Sequence, residues 1–173
     1  MNIQLLPLRE EETIAFKEEM QEAFQQGFQA HFPSEEGNNQ WQVLPDKDFY
    51  QSLNAVGAEA YEALAADGQR VGGAIIVIKA DEHRGELAFL YVKVGVQSKG
   101  IGQTIWKAIE AMHPETKIWE TCTPYFDRRN IHFYINRCGF HAVEFFNEHH
   151  PDPHMPELFD QEDGLFKFEK RMK

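Results

Sequence analysis

A glycine-containing turn at residues 97–102 has the composition of an anion site. Its sequence is Gln97-Ser98-Lys99-Gly100-Ile101-Gly102. If a helix begins there, its first turn offers unpaired backbone N–H groups and roughly half a positive charge from the helix dipole. Glycines let a backbone come close to a ligand, and the natural ligand is a phosphate or pyrophosphate. A glycine-rich turn with no ligand is the other interpretation of these six residues, and both stay open at this point.

Apolar residues on either side of the turn predict the elements that position it. Residues 87–92 read Leu-Ala-Phe-Leu-Tyr-Val, the aliphatic and aromatic types that a buried strand favours. After the turn, Ile101, Ile105, Ile109 and Met112 recur at three- and four-residue steps. That spacing is typical of the apolar stripe of an amphipathic helix. The turn is therefore predicted to join a strand to a helix.

Two other phosphate-binding motifs do not fit the turn. A P-loop requires Gly-x-x-x-x-Gly-Lys-Ser/Thr, and residues 101–104 contain no Lys-Ser/Thr pair. A dinucleotide fingerprint requires Gly-x-Gly-x-x-Gly, whereas the glycines here are Gly95, Gly100 and Gly102. Neither class of nucleotide-binding protein is indicated.

The composition is that of a packed, acidic globular protein. The chain has 173 residues, of which 42% are hydrophobic, and we expect residues 1–173 to form a single domain. The formal net charge is −11, which argues against a general nucleic-acid binder because such proteins need a basic face. The same charge would favour a cationic substrate such as a polyamine, an aminoglycoside-like amine or a basic peptide.

The cysteines and the N-terminal residues suggest a protein of the cytoplasm. Cys122 and Cys138 lie far apart and fit neither a disulfide framework nor a CxxC site, and we expect Cys122 to be a small buried side chain rather than a nucleophile. The first residues lack the pattern of a signal peptide. No stretch approaches the ~18 to 20 apolar residues that span a bilayer, so no membrane partner is expected.

The order of the predicted elements alternates between strands and helices. A hairpin turn at Asp67-Gly68 indicates that the strands around it are antiparallel. The predicted strands are residues 3–6, 59–64, 71–78, 87–92, 117–122, 140–146 and 165–170, and the predicted helices are 10–30, 46–53, 101–112 and 128–137.

The irregular segment that follows the sixth predicted strand contains three histidines. His149, His150 and His154 are residue types that bind metals. No carboxylate or cysteine completes a persuasive ligand set with them, and the segment is rich in proline. We therefore predict no metal site.

This order of elements, with a turn of pattern Gln-x-x-Gly-x-Gly, resembles the GNAT superfamily of N-acetyltransferases. The family signature is Arg or Gln followed by x-x-Gly-x-Gly or Ala, and residues 97–102 align with it without a gap. The family often ends its fourth helix in a tyrosine followed by Gly-Phe, and this chain has Asn-Ile-His-Phe-Tyr at 130–134 and then Gly139-Phe140. The resemblance covers nearly the whole chain. It implies an α/β (α+β) fold with a mixed, mostly antiparallel sheet of six to seven strands, helices on both faces, and a splayed strand pair at the acetyl-CoA site.

The chain departs from the family in the spacing of this tyrosine. The family tyrosine commonly stands four residues before the glycine, whereas Tyr134 stands five before Gly139. Either the helix-to-strand turn carries an extra residue, or Ile135 occupies the usual tyrosine position. We favour the first, because Asn130 and Tyr134 then share a helix face at i and i+4.

The resemblance implies that acetyl-CoA is the co-substrate. Its pyrophosphate would lie on the backbone amides of residues 97–102, and its pantetheine arm would pair with the strand backbone like an added strand. A backbone N–H near Val92 would hold the developing oxyanion, which can be worth ~3 kcal/mol. The predicted cofactor-binding residues are Val92, Val94, Gln97, Ser98, Lys99, Gly100, Ile101, Gly102, Gln103 and Asn130.

The chemistry that the resemblance implies requires a base and an acid. A lysine-like amine has a pKa of about 10.4, so about one molecule in a thousand is unprotonated at neutral pH, and a base must remove the proton. Glu120 is the first candidate for the base and Glu86 the second; each could instead be an ordinary strand-end carboxylate. Tyr134 would protonate the departing CoA thiolate, and its alternative role is that of a core tyrosine.

The predicted function is direct acetyl transfer from the CoA thioester to a primary amine of a small molecule or peptide, with no covalent enzyme intermediate. The alternative is a non-catalytic acyl-CoA-binding or regulatory protein of the same fold. A weaker third possibility is a protein-modifying subunit that works only with a partner. Only the resemblance to the family suggests that the protein forms a homodimer.

Overall fold

A mixed sheet lies at the centre of the structure. The computed structural model describes residues 2–31, 42–96, 100–125, 127–147, 149–150, 152 and 164–173. Within these ranges seven strands form one sheet. They are β1 (Ile3–Pro7), β2 (Ala58–Ala65), β3 (Arg70–Lys79), β4 (Arg84–Val92), β5 (Ile118–Pro124), β6 (His141–Phe146) and β7 (Leu165–Arg171). The order across the sheet is β1-β2-β3-β4-β5-β7-β6, and the β4–β5 pair is parallel while the other pairs are antiparallel.

Helices cover both faces of the sheet, as predicted. They are α1 (Thr13–His31), which follows a 3₁₀ turn at Glu10–Glu12, α2 (Asp46–Leu53), α3 (Ile101–Met112) and α4 (Arg128–His132), which continues into a π-helical turn at Phe133–Arg137. The side chains of α1 and α2 pack on one face, called here the α1 face. Those of α3 and the π turn pack on the other, the α3 face. No helix in the described ranges is both long and apolar enough to cross a membrane.

The larger core lies on the α3 face, where the predicted apolar stripe of α3 meets the sheet. Ile105, Trp106 and Ile109 are fully buried there. The Trp106 ring lies 5.0 Å from the Trp119 ring of β5, at a nearly perpendicular angle that aromatic pairs favour. This packing holds α3, and with it the turn at its N-terminus, against the centre of the sheet.

The parallel pairing of β4 and β5 is short. It covers three residue pairs and ends at Glu86 and Glu120. Gly85 lies beneath the Trp119 ring, because a Cβ at Gly85 would come within 2.6 Å of that ring. Beyond this point the Thr121 hydroxyl donates a hydrogen bond to the Leu87 carbonyl at 2.9 Å, and the strands then separate. The opening between β4 and β5 beyond Glu86 and Glu120, called the fork below, is the splayed strand pair that was predicted.

A β-bulge changes the direction of β4 inside the fork. Ile75 of β3 pairs with Phe89 and Ile76 pairs with Leu87, which leaves Ala88 as an extra residue. As a result, Ala88 and Phe89 both contact the core on the α1 face, although they are consecutive in the strand. Bulges bend a strand and increase its twist, so the bulge turns the end of β4 away from β5.

A buried ionic network attaches α1 to the sheet. The Glu62 side chain is fully buried and accepts hydrogen bonds from Arg9 at 3.0 Å and from Arg70 at 2.6 Å. Arg70 also contacts Glu19 of α1 at 2.9 Å, and the Tyr91 hydroxyl of β4 donates to Glu19 at 3.0 Å. Burial acts to raise the pKa of Glu62, but the two arginines outweigh it and the pKa is lowered.

Glu62→Gln should lower the free energy of unfolding by about 3–5 kcal/mol, because it leaves two arginines with a buried and uncharged partner. Glu12→Gln is the matched control. Glu12 is a more exposed member of the same network, 3.4 Å from each arginine, and its loss should cost about 1 kcal/mol or less.

Urea denaturation of both variants at pH 7 measures the difference. Because the folded-state pKa of Glu62 is depressed, its contribution is complete above the unfolded-state pKa and is lost as the pH falls through the folded-state value. The gap between wild type and Glu62→Gln should therefore close in acid. Equal losses in the two variants would contradict this account of the network.

Candidate active site

Backbone groups of β4 point into the fork. The Lys93 N–H donates to the Val71 carbonyl at 2.8 Å, so Val92 and Gly72 form a non-hydrogen-bonded pair of the antiparallel ladder. In such a pair the N–H and C=O groups point away from the partner strand. Those of Val92 therefore point from β3 towards the side of β5. Val94 lies beyond the end of β4, in a turn closed by a hydrogen bond from the Val96 N–H to the Lys93 carbonyl.

The glycine turn ends at the predicted helix start. Gln97, Ser98 and Lys99 lie outside the described residues. Gly100 precedes α3 with φ of +90°, in the left-handed region that glycine adopts at little cost. Among the described residues, apart from its chain neighbours, a Cβ at Gly100 would meet no heavy atom within 4 Å. The backbone conformation, rather than a lack of space, therefore favours glycine at this position.

The side chains at the start of α3 contact protein. Ile101 is buried in the core on the α3 face. A Cβ at Gly102 would lie 3.1 Å from the Phe133 ring, so glycine here allows α3 to approach the π turn closely. The Gln103 side-chain amide donates to the Arg137 carbonyl at 2.8 Å. What these residues offer a ligand at the helix N-terminus is therefore their backbone N–H groups.

The π turn accommodates the additional residue before Gly139. The Cys138 N–H donates to the Phe133 carbonyl at 3.0 Å, the i to i−5 bond of a π-helix, which holds one more residue per turn than an α-helix. Tyr134 is 7% exposed, whereas Ile135 is 37% exposed. Tyr134 rather than Ile135 faces the core.

The Tyr134 side chain belongs to a short polar chain where the fork begins. Burial raises the pKa of Tyr134, and the Thr121 side chain acts in the opposite direction. Thr121 in turn donates to the Leu87 carbonyl, which is the first carbonyl of β4 beyond the parallel pairs. The phenol therefore lies near the point where β4 and β5 separate.

The two candidate carboxylates have different partners. Glu120 accepts a hydrogen bond from Arg84 Nε at 3.0 Å and lies 3.9 Å from Lys167 Nζ. Burial acts to raise the pKa of Glu120, but Arg84 and Lys167 outweigh it and the pKa is lowered. Glu86 pairs with Glu120 in the strand register, yet within the described residues it has no hydrogen bond and no ion pair. Burial raises its pKa.

Asn130 and Cys122 lie on opposite faces of the sheet near the fork. Asn130 donates through its backbone and side-chain amides to the Asp127 carboxylate, at 3.0 and 2.8 Å, and so takes part in the N-terminal cap of α4. The expectation that Cys122 is buried is wrong. It is exposed, because it alternates with the buried Thr121 and Thr123 and so lies on the opposite face of β5.

The exposed Cys122 is nevertheless a poor nucleophile. The surrounding protein and the Glu86 carboxylate raise the pKa of its thiol to about 12, so the thiol is protonated at neutral pH.

The histidines after β6 have local contacts. His150 forms a 2.8 Å hydrogen bond with Glu144 and stacks on Phe146. His154 lies outside the described residues. Among the residues that are described, no group of three or more His, Cys, Asp and Glu side chains could hold a metal ion.

The sequence model of the acetyltransferase (GNAT) family matches residues 15–140. The chain belongs to the GNAT acetyltransferase family. A relative by sequence is the uncharacterised protein YrkN of Bacillus subtilis (strain 168), which is 48% identical over 140 residues, covering 76% of this chain and 74% of that protein.

Solved GNAT structures share the fold. An acetyltransferase from Elizabethkingia anophelis, crystallised with acetyl-CoA, matches with a TM-score of 0.69 at 15% identity and 99% coverage of both chains. The PaiA N-acetyltransferase of Thermoplasma acidophilum, solved with coenzyme A, matches with a TM-score of 0.68 at 20% identity, covering 99% of this chain and 100% of that one. These likenesses confirm the predicted fold.

Proposed function

We propose that this GNAT protein transfers an acetyl group directly from acetyl-CoA to a primary amine of a small molecule or peptide. The fork carries the proposal, because three kinds of group lie along it. The backbone of Val92 points into it, the Tyr134 hydroxyl is tied to its start through Thr121, and Glu86 lies beside it without a partner among the described residues. These groups can serve as oxyanion donor, acid and base. The structural relatives solved with acetyl-CoA or coenzyme A support the same co-substrate.

The cofactor arm would occupy the fork. Its pyrophosphate would accept hydrogen bonds from backbone amides of residues 97–102, where the α3 dipole favours negative charge. Its pantetheine amides would pair with the free edge of β4 near Val92 and continue towards Val94, as an added strand does. Asn130 would contribute its side-chain carbonyl oxygen, since its amide nitrogen donates to Asp127. A backbone N–H of β4 that points into the fork between Val92 and Glu86 would then lie against the thioester carbonyl.

Of the two carboxylates, we assign the base to Glu86 and not to Glu120. A base must have a free lone pair and a pKa high enough to accept a proton from an ammonium group. Glu120 is occupied by Arg84 and its pKa is lowered. Glu86 has no such partner within the described residues, and burial raises its pKa. In the proposed step Glu86 takes a proton from the acceptor amine, directly or through a water molecule.

The acetyl transfer then needs an acid for the leaving group. The neutral amine attacks the carbonyl carbon, a C–N bond forms, and the C–S bond of the tetrahedral intermediate breaks to release CoA thiolate. Tyr134 would donate its proton to that sulfur. Its raised pKa keeps the phenol protonated until then.

The substitution Gly100→Glu should weaken CoA binding at least tenfold, which corresponds to about 1.4 kcal/mol, because a carboxylate would face the pyrophosphate. Gly68→Glu is the matched control: Gly68 has φ of +86° and equally open surroundings, but lies in the β2–β3 turn. Isothermal titration with CoA should show near wild-type affinity for that control. Equal CoA affinity in the two variants would exclude the turn as the pyrophosphate site.

The substitution Glu86→Gln should reduce kcat/KM about 100-fold and leave CoA affinity unchanged, because an amide cannot accept the proton. Release of free CoA thiol with a panel of primary amines measures the rate. Glu82→Gln, at an exposed glutamate that precedes β4, is the control and should keep full activity. If the wild-type protein binds acetyl-CoA but no amine releases CoA, the non-catalytic acyl-CoA-binding alternative is supported instead.

The substitution Tyr134→Phe should lower kcat at least tenfold through loss of the acid, while the fold loses only about 1 kcal/mol for one hydrogen bond. Tyr125→Phe is the control, because Tyr125 is 52% exposed and has no part in the proposed step. Steady-state rates and thermal melts of both variants separate the two effects. An unchanged kcat in Tyr134→Phe would remove the tyrosine from the mechanism.

A further inference from the structure

Four charged side chains form an ion cluster across β4, β5 and β7 on the α1 face. They are Arg84, Glu120, Lys167 and Glu169. Arg84 contacts both glutamates, with Nε 3.0 Å from Glu120 and a terminal nitrogen 3.1 Å from Glu169. Lys167 Nζ lies 3.9 Å from Glu120. Two positive and two negative charges make the cluster neutral, and Glu120 is the member that contacts both cations.

Glu86 lies beside this ion cluster but outside it. Gly85 packs against Trp119 and Leu87 lies in the core on the α3 face, so Glu86 between them projects to the α1 face, where Glu120 is its register partner. The charged and titratable groups around Glu86 are Arg84 on its own strand, Lys79 of β3, Glu120 and Cys122 of β5, and Lys167 of β7.

The pairing within the ion cluster determines how strongly its cations stabilise the charged form of Glu86. With Glu120 ionised, Arg84 and Lys167 are paired with it, and the Glu120 carboxylate itself disfavours a negative charge on Glu86. Without the charge of Glu120, the cluster would carry a net positive charge next to the half-buried Glu86. A nearby opposite charge stabilises a carboxylate and makes it a weaker base.

We propose that Glu120 is a positioning residue that holds Arg84 and Lys167 in ion pairs, so that Glu86 has no direct ion pair among the described residues and can take the proton of the acceptor amine. This inference rests on the proposed function and deepens it. In this proposal Glu120 affects the base electrostatically and does not contact the substrate.

The test is the pH dependence of kcat/KM in single variants of the full chain. Its acid limb reports the protonation of the base in the free enzyme. Glu120→Gln should move this limb to lower pH by about one unit, because the cations are freed. Lys167→Gln should move it to higher pH, because one cation is lost.

Glu169→Gln is the matched control. It also frees Arg84, but Glu169 lies one strand further from Glu86. The acid limb should therefore move in the same direction as in Glu120→Gln, by a smaller amount.

Opposite shifts in Glu120→Gln and Lys167→Gln support the proposal, because a structural defect would not produce them. Shifts in the same direction, or none, overturn it. It is also overturned if Glu120→Gln abolishes activity while Glu86→Gln keeps the acid limb, since Glu120 would then be the base.

A second measurement does not depend on activity. Carboxyl ¹³C titration by NMR follows Glu86 in the wild type and in Glu120→Gln, with Glu86→Gln used to assign the signal. A lower titration midpoint in Glu120→Gln supports the proposal, and an unchanged midpoint overturns it. If no amine is acetylated, the proposed acetyl transfer is wrong. The NMR titration would then still show whether Glu120 raises the pKa of Glu86.

Discussion

The backbone hydrogen bonds between β4 and β5 end at Glu86 and Glu120, and main-chain groups of β4 beyond that point have no strand partner on that side. Peptide groups removed from water need hydrogen bonds, so the fork suits a ligand that brings its own donors and acceptors. An extended chain of amides meets this requirement, and the pantetheine arm of CoA is such a chain. At the start of the fork the protein satisfies the Leu87 carbonyl with the Thr121 hydroxyl.

Three local features keep β4 and β5 apart. The bulge at Ala88 turns β4, Trp119 packed over Gly85 fixes the register of the short parallel ladder, and β5 continues in antiparallel pairing with β7 on its other side. The π turn on the α3 face then brings Tyr134 to the hydroxyl of Thr121. Because Thr121 donates to the strand carbonyl and also lowers the pKa of the phenol, the geometry of the opening and the environment of the proposed acid are linked.

Much of the fold could be predicted from local patterns, whereas the partners of the candidate side chains could not. The apolar stripe of α3 and the hairpin signal at Asp67-Gly68 depend on residues close in sequence, and the observed helix and hairpin follow them. The ion pair between Arg84 and Glu120 joins residues that meet only through the β4–β5 register. For that reason the sequence favoured Glu120 over Glu86 as the base. The exposure of Cys122 likewise depends on what covers one face of the sheet, which alternation alone does not reveal.

The net charge of −11 does not describe the surroundings of the proposed base. On the α1 face beside the fork, the carboxylates of Glu86, Glu120 and Glu169 stand near the cations Lys79, Arg84 and Lys167. Long-range attraction of a cationic acceptor depends on the whole acidic surface and is screened within about 10 Å in salt. Proton transfer depends on the nearest charges, which are screened less when half-buried. In the proposed reaction the overall charge would therefore bring an amine to the protein, while local pairing across three strands would decide whether that amine loses its proton.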